Sequence, residues 1–239
     1  MTLPVHYAVG RAQYWFSLLS IGAAFGLLAV VLARLALDLD SLGVSHAVAF
    51  VAGICVADFG SGLVHWGADT WGRDDLPVIG HRLLVPFRIH HVNPDDLLRR
   101  SFVDANGDVA FLAVPALLGL LVVPLETMWH GALACGGVGL CSVGMMTNQI
   151  HQWAHMPSPP RLIRLLQDCR LILGRSAHAT HHSRPYDAHY CITTGWCNAP
   201  LDALGFFRRL ERIVTQLTGV RPRHDDERYA AQHGSELTA

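Results

Sequence analysis

Two short stretches of the sequence are dense in histidine. One runs His151-Gln-Trp-Ala-His155, and the other runs His178-Ala-Thr-His181-His182. Side chains three or four residues apart share one face of a helix, so each stretch can aim its imidazoles at a common point. Imidazole is a ligand for iron, zinc and copper. The two stretches therefore indicate a metal site rather than a set of solvated loop histidines.

The composition indicates a membrane protein. Of the 239 residues, 51% are hydrophobic and 15% are charged, whereas soluble proteins average about 25% charged residues. The formal net charge of −1 gives no general attraction to nucleic acid, so no nucleic-acid partner is expected. The six cysteines form no CxxC pair, which argues against a thiolate metal site.

Four apolar runs approach or exceed the roughly 20 residues that a membrane helix needs. They are Trp15–Leu37, Val44–Trp66, Val109–Leu125 and Thr127–Ile150. The predicted fold is all-α, a multi-pass membrane protein with about four transmembrane helices and a cytoplasmic, histidine-rich helical cap. We treat 1–239 as a single membrane-embedded domain, with short amphipathic segments at 160–173 and 203–217 and a flexible tail over 225–239.

The arginines predict the orientation. Four spans place both termini on one side, and cytoplasmic loops carry an excess of positive charge. The predicted loop 67–108 and the region after 151 hold 16 of the 18 basic residues, all of which are arginine. We therefore expect both termini to be cytoplasmic, in the inner membrane if the source is bacterial.

This topology gathers eight histidines on one membrane face: His65, His90, His91, His151, His155, His178, His181 and His182. One zinc takes four ligands, so eight suit two metals. Asp69, four residues after His65, could be a further ligand or could orient an imidazole. His46 and His130 begin spans on the opposite face and are excluded. Asp58, inside a span, has either a functional role or a partner on a neighbouring helix.

Several ordered blocks resemble the plasmanylethanolamine desaturases, the Kua/CarF-type lipid desaturase family, over about residues 50–228. The blocks are Asp58–Gly72, Pro86–Pro94, Asn106–Asp108, Thr147–His155, His178–His182 and Cys191–Trp196. There is one departure. Members of the family carry histidine where this chain has Tyr186, and His189 follows three residues later. Either His189 substitutes for that histidine or the position is not a ligand.

The resemblance implies a non-haem di-iron enzyme that uses O2 and two external electrons. It would convert the alkyl ether chain of a plasmanyl phospholipid to the vinyl ether of a plasmalogen. The eight histidines would be the catalytic iron ligands, with Asp69 as a candidate ninth. No flavin, haem or iron–sulfur motif is evident, so a separate electron-donor protein is implied. Candidate anchors for the lipid phosphate are Arg88, Arg99, Arg100 and Arg184.

Three alternatives stay open at this point. The same ligands could serve a hydroxylase, or an acyl-chain desaturase like the plant chloroplast members of the family. A membrane metal-binding protein without enzymatic activity is the third. Transport sites usually lie near the bilayer midplane, whereas these histidines are predicted at one face, which disfavours transport.

Overall fold

The computed structural model describes residues 9–38, 42–73 and 75–223. The predicted tail at 225–239 lies outside them. The described residues form eleven α-helices and no strand, so the predicted all-α class is confirmed. The helices are α1 (Arg11–Asp38), α2 (Val44–Thr70), α3 (Val85–Val92), α4 (Asp95–Arg99), α5 (Phe102–Val122), α6 (Met128–Gly144), α7 (Thr147–His155), α8 (Arg161–Asp168), α9 (Arg175–His181), α10 (Asn198–Ala203) and α11 (Phe206–Thr218). A π-helical turn, Gly80–Leu84, leads into α3.

Three helices, α1, α2 and α5, are long and apolar enough to cross a membrane. The pair α6 and α7, bent by 42° at the break between them, makes a fourth when the two helices are counted as one broken span. The prediction of about four spans is confirmed. The fourth run is nevertheless not one straight helix, because the chain turns at Met145 and Met146 before α7 begins.

The spans pack in pairs, α1 against α5 and α2 against α6. A Cβ on Gly53 would collide with the carbonyl of Gly136, and one on Gly139 would collide with the carbonyl of Phe50. Small residues at these positions let the α2 and α6 backbones approach closely, as is usual in membranes. In the other pair, Arg34 donates to the carbonyls of Leu120, Leu121 and Val123 at the end of α5.

Two predicted boundaries differ from the structure. α5 begins at Phe102, seven residues before the predicted start at Val109, because Ser101 caps the helix and Arg100 pairs with Asp104. The loop predicted over 67–108 is therefore wrong at that end. α2 continues one turn past Trp66 to Thr70, and this turn carries Asp69. The amphipathic segments predicted at 160–173 and 203–217 contain α8 and α11.

Candidate metal centre

All nine predicted ligand residues converge beside the ends of α2, α3, α7 and α9. They form two groups, and within each group the potential ligand atoms lie within 4.8 Å of one another. The five-histidine group comprises His90, His151, His155, His178 and His182. The carboxylate group comprises His65, Asp69, His91 and His181.

Adjacent histidines are divided between the groups. His90 belongs to the five-histidine group and His91 to the carboxylate group, and His182 and His181 divide in the same way. Successive residues on a helix point about 100° apart, so one short helix can serve two neighbouring sites. The ring centroids of His65 and His151, one from each group, are 5.6 Å apart. The two groups are therefore neighbours.

The five-histidine group is centred on His178. Its Nε2 atom lies 2.8 Å from Nε2 of His151, 2.7 Å from that of His155 and 3.1 Å from that of His182. The fifth member is His90, whose Nε2 atom lies 3.0 Å from Nε2 of His182. Burial lowers the pKa of His90, His178 and His182 below the ordinary imidazole value, and neighbouring imidazoles add to the shift. These three rings are neutral at pH 7, the form that binds metals.

The carboxylate group is arranged around Asp69. Its Oδ2 atom lies 3.3 Å from Nε2 of His65, 3.3 Å from Nε2 of His91 and 3.5 Å from Nε2 of His181. The Asp69 side chain is buried, and neither of its oxygens accepts a hydrogen bond from any group that the structure describes. A buried carboxylate without donors is costly unless a cation is present.

The contacts fit a metal in each group. Three imidazole nitrogens, those of His151, His155 and His182, face the same Nε2 atom of His178, and a single proton cannot satisfy all of these contacts. Metal–nitrogen bonds are about 2.0–2.1 Å long, so two nitrogens at right angles on one ion would be about 3.0 Å apart. The observed separations in the five-histidine group, 2.7–3.1 Å, match that spacing.

Backbone carbonyls orient two of the imidazoles. Nδ1 of His65 lies 3.0 Å from the carbonyl oxygen of Tyr190, and Nδ1 of His181 lies 2.9 Å from that of Ala188. A carbonyl oxygen can only accept, so both Nδ1 atoms carry the proton and both Nε2 atoms present a lone pair. Such partners fix the ring and the tautomer of a metal ligand. Sequence reasoning missed them, because a main-chain acceptor has no signature in the side chains.

The segment that begins at Tyr190 and supplies one of these carbonyls is tied to α2. We call residues 190–197 the strap. Asp58 accepts hydrogen bonds from the backbone N–H groups of Thr193, Thr194, Gly195 and Cys197, and from the Thr193 hydroxyl. Asp58 therefore has structural partners, and they lie on the strap rather than on a neighbouring membrane helix.

The remaining candidates lie outside both groups. Nδ1 of His189 donates to the Ala177 carbonyl, and its Nε2 lies 3.3 Å from an Asp202 oxygen. His189 is thus engaged away from the ligands, whereas the ring of Tyr186 stacks on that of His91 at 5.5 Å. Among the excluded histidines, His46 accepts from the Gly43 N–H at the opposite end of α2.

The four arginines proposed as phosphate anchors also lie outside the groups. Arg88 donates to the Gly72 carbonyl, and Arg100 pairs with Asp104. Arg99 and Arg184 are exposed. No phosphate role follows from these contacts alone.

Comparison with known proteins identifies the family. Residues 54–225 match the lipid desaturase domain. The chain is 44% identical over 190 residues to plasmanylethanolamine desaturase 1 of Mus musculus, covering 75% of this chain and 69% of the relative. It is 43% identical over 179 residues to plasmanylethanolamine desaturase of Myxococcus xanthus, covering 74% and 63%.

A more distant relative is the chloroplastic fatty acid desaturase 4 of Arabidopsis thaliana, 36% identical over 182 residues, with 74% of this chain and 54% of the relative covered. The chain thus spans between about half and about two thirds of the length of these relatives. No solved structure matches it. The matched domain covers most of the chain and includes every residue of both candidate metal groups, and on that basis the chain belongs to the lipid desaturase domain family.

Proposed function

We propose that this protein is an O2-dependent, non-haem di-iron desaturase that converts the alkyl ether chain of a plasmanyl phospholipid to the vinyl ether of a plasmalogen. The observation that supports it is the pair of neighbouring, buried ligand groups at the end of a membrane-spanning bundle. The names of the mouse and Myxococcus relatives supply the substrate class.

The proposed reaction removes two hydrogens from adjacent carbons. The R–O–CH2–CH2–R′ chain, O2, two electrons and two protons give R–O–CH=CH–R′ and two waters. Two iron ions would be held by the eight histidines and Asp69, and would supply the reduction of O2 and the removal of hydrogen from carbon. The electrons come from a separate donor protein.

The residues of the chain hold and shield the site. Tyr190 and Ala188 keep the Nε2 lone pairs of His65 and His181 directed inward through their carbonyls. Asp69 adds a carboxylate to one group, whereas the other contains imidazoles only. Most of the ligand side chains are buried, which keeps bulk water away from an oxidising centre.

The proposed placement has the histidine groups and both termini in the cytoplasm, in the inner membrane if the source is bacterial. It is supported by the arginine-rich segments on that side of the spans. Exposed arginines there, Arg99 and Arg184 among them, are candidate contacts for the lipid phosphate.

A lipid assay tests the proposal. The chain is expressed in a plasmalogen-free host that is supplied with an alkyl ether phospholipid, and acid-labile vinyl ether is measured by mass spectrometry. We expect vinyl ether with the native chain and none with His181→Ala. Absence of vinyl ether from protein that binds two irons per chain and receives electrons would contradict the ether-lipid assignment.

The Arabidopsis relative favours a second candidate, desaturation of a phospholipid acyl chain with the same ligands. Mass spectrometry of the same extracts separates the two. A new double bond in an ester-linked chain, with unchanged ether lipid, would select the second candidate, and a hydroxyl product would select hydroxylation.

A further inference from the structure

The strap has irregular backbone, yet each N–H group from Cys191 to Asn198 has a protein acceptor. Besides the four N–H groups bound by Asp58, that of Cys191 donates to the Asn198 side chain at 2.8 Å and that of Ile192 donates to the Ser61 hydroxyl at 3.0 Å. Those of Trp196 and Asn198 donate to acceptors within the strap itself. The strap is buried from Tyr190 to Thr194, where every N–H group needs a protein acceptor in any case. Its partly exposed edge, from Gly195 to Cys197, also leaves no N–H group to water, as hydrocarbon requires.

The position of Asp58 gives the depth of the strap. α2 begins at Val44, and α6 begins beside it at Met128. The first turn of α6 carries the exposed Trp129. Because tryptophan is enriched where a membrane meets water, we place one membrane interface at Val44. Counted from Val44 at 1.5 Å per residue, about 30 Å of hydrocarbon ends near Val64. Asp58 comes six residues before Val64, which is about 9 Å inside that boundary. The strap follows α2 down to this depth, since the Cys197 thiol also contacts the Cys55 carbonyl.

The surface around the strap is apolar. Its large exposed side chains, between 37% and 64% accessible, are Leu162, Leu165, Leu171, Trp196 and Leu204. The segment after α8 is joined to the strap, because the Trp196 indole donates to the Arg170 carbonyl and the Leu173 N–H donates to the Thr193 carbonyl.

Three exposed arginines, Arg161, Arg164 and Arg170, and one exposed carboxylate, Asp168, border this surface, so its border is basic overall. Leucine and tryptophan next to arginine is the composition of segments that lie in a membrane interface, where the arginines meet lipid phosphates.

We propose that the strap and residues 161–172, which comprise α8 and the turn after it, are inserted among the phospholipid acyl chains of the leaflet that adjoins the histidine groups. The occupant of this apolar surface is lipid, because its basic border, its depth along α2 and the satisfied N–H groups of its exposed edge are all properties of a membrane-inserted segment. The strap carries the Tyr190 carbonyl that orients His65, so insertion places the carboxylate group beside that leaflet. The inference depends on neither bound iron nor the identity of the substrate.

Fluorescence quenching tests the insertion in the full chain. Cys169 is the exposed cysteine among those described, so it is first replaced by Cys169→Ser. One new cysteine, Leu171→Cys or Leu204→Cys, is then added and labelled with the fluorophore NBD. The proteins are reconstituted in vesicles of phosphatidylcholine and phosphatidylglycerol. Two quenchers are compared, a phospholipid with a nitroxide on its acyl chain and aqueous iodide. Leu118→Cys on α5 is the lipid control, and Ser176→Cys on α9 is the water control.

We expect the probes at 171 and 204 to lose emission to the nitroxide lipid as strongly as the probe at 118, and to resist iodide. Quenching like that at 176 would overturn the proposal, as would protection from both quenchers, which would indicate a second copy or another protein on this surface. A cross-linking experiment on the unsubstituted protein does not depend on whether the variants fold. Photoactivatable acyl chains should cross-link to peptides within 161–172 and 196–204, and their absence from these peptides would also overturn the proposal.

Discussion

Asp69 is the one carboxylate among the nine candidate ligand residues, and three imidazoles contact a single oxygen of it. Asp69→Asn keeps the shape of the side chain but removes its charge. We expect the carboxylate group to lose its ion while the five-histidine group keeps its own, because no member of the latter is altered. Iron per chain, measured by plasma mass spectrometry, should fall to about half.

The matched control is Asp95→Asn, which removes an exposed carboxylate at the start of α4. It should leave the iron content unchanged. Iron retained in full by Asp69→Asn would show that this carboxylate is not a ligand. Loss of nearly all the iron would show that the two ions bind as one cooperative unit.

Among the segments between the helices, the strap donates four of its backbone N–H groups to one side chain, Asp58. Asp58→Ala would leave several buried N–H groups without an acceptor, each costing about 1–3 kcal/mol. We expect a large fall in the thermal unfolding midpoint of detergent-solubilised protein, with loss of bound iron, because the strap orients His65 through the Tyr190 carbonyl. An unfolding midpoint for Asp58→Ala equal to that of the native chain would contradict this role.

The α2–α6 contact offers a test in which one type of substitution has opposite effects. Gly53→Ala should destabilise the protein, since the added carbon meets the Gly136 carbonyl. Gly26→Ala on α1 has open space around it, and should be neutral or stabilising by about 0.5–1 kcal/mol. Thermal midpoints of both variants in the same detergent check the contrast. Equal shifts would mean that α2 and α6 are not closely packed.

For the whole molecule, spacing and apolar runs were enough to predict the all-α class, about four spans and the gathering of the nine ligand residues. Side-chain periodicity could not predict how the ligands divide. His90 and His91 are adjacent, and only the docking of α3 against α2 and α7 assigns them to different groups. The early start of α5 was missed because Asn106 and Asp108 are polar residues that are common in loops. In the structure they lie within α5, where the Asn106 carboxamide oxygen accepts from the Gln149 N–H and joins α5 to α7.

The excess of arginine on the side of the histidine groups predicts that this side of the molecule is cytoplasmic. In the Cys169→Ser background, Ser176→Cys lies on the side of the histidine groups and Leu42→Cys lies in the connection between α1 and α2, both exposed. With a membrane-impermeant maleimide, intact bacterial cells should label position 42 and spare position 176. Inverted membrane vesicles should show the opposite pattern. The reverse result in both preparations would place the metal groups outside the cytoplasm, and a cytoplasmic electron donor could then not reach them.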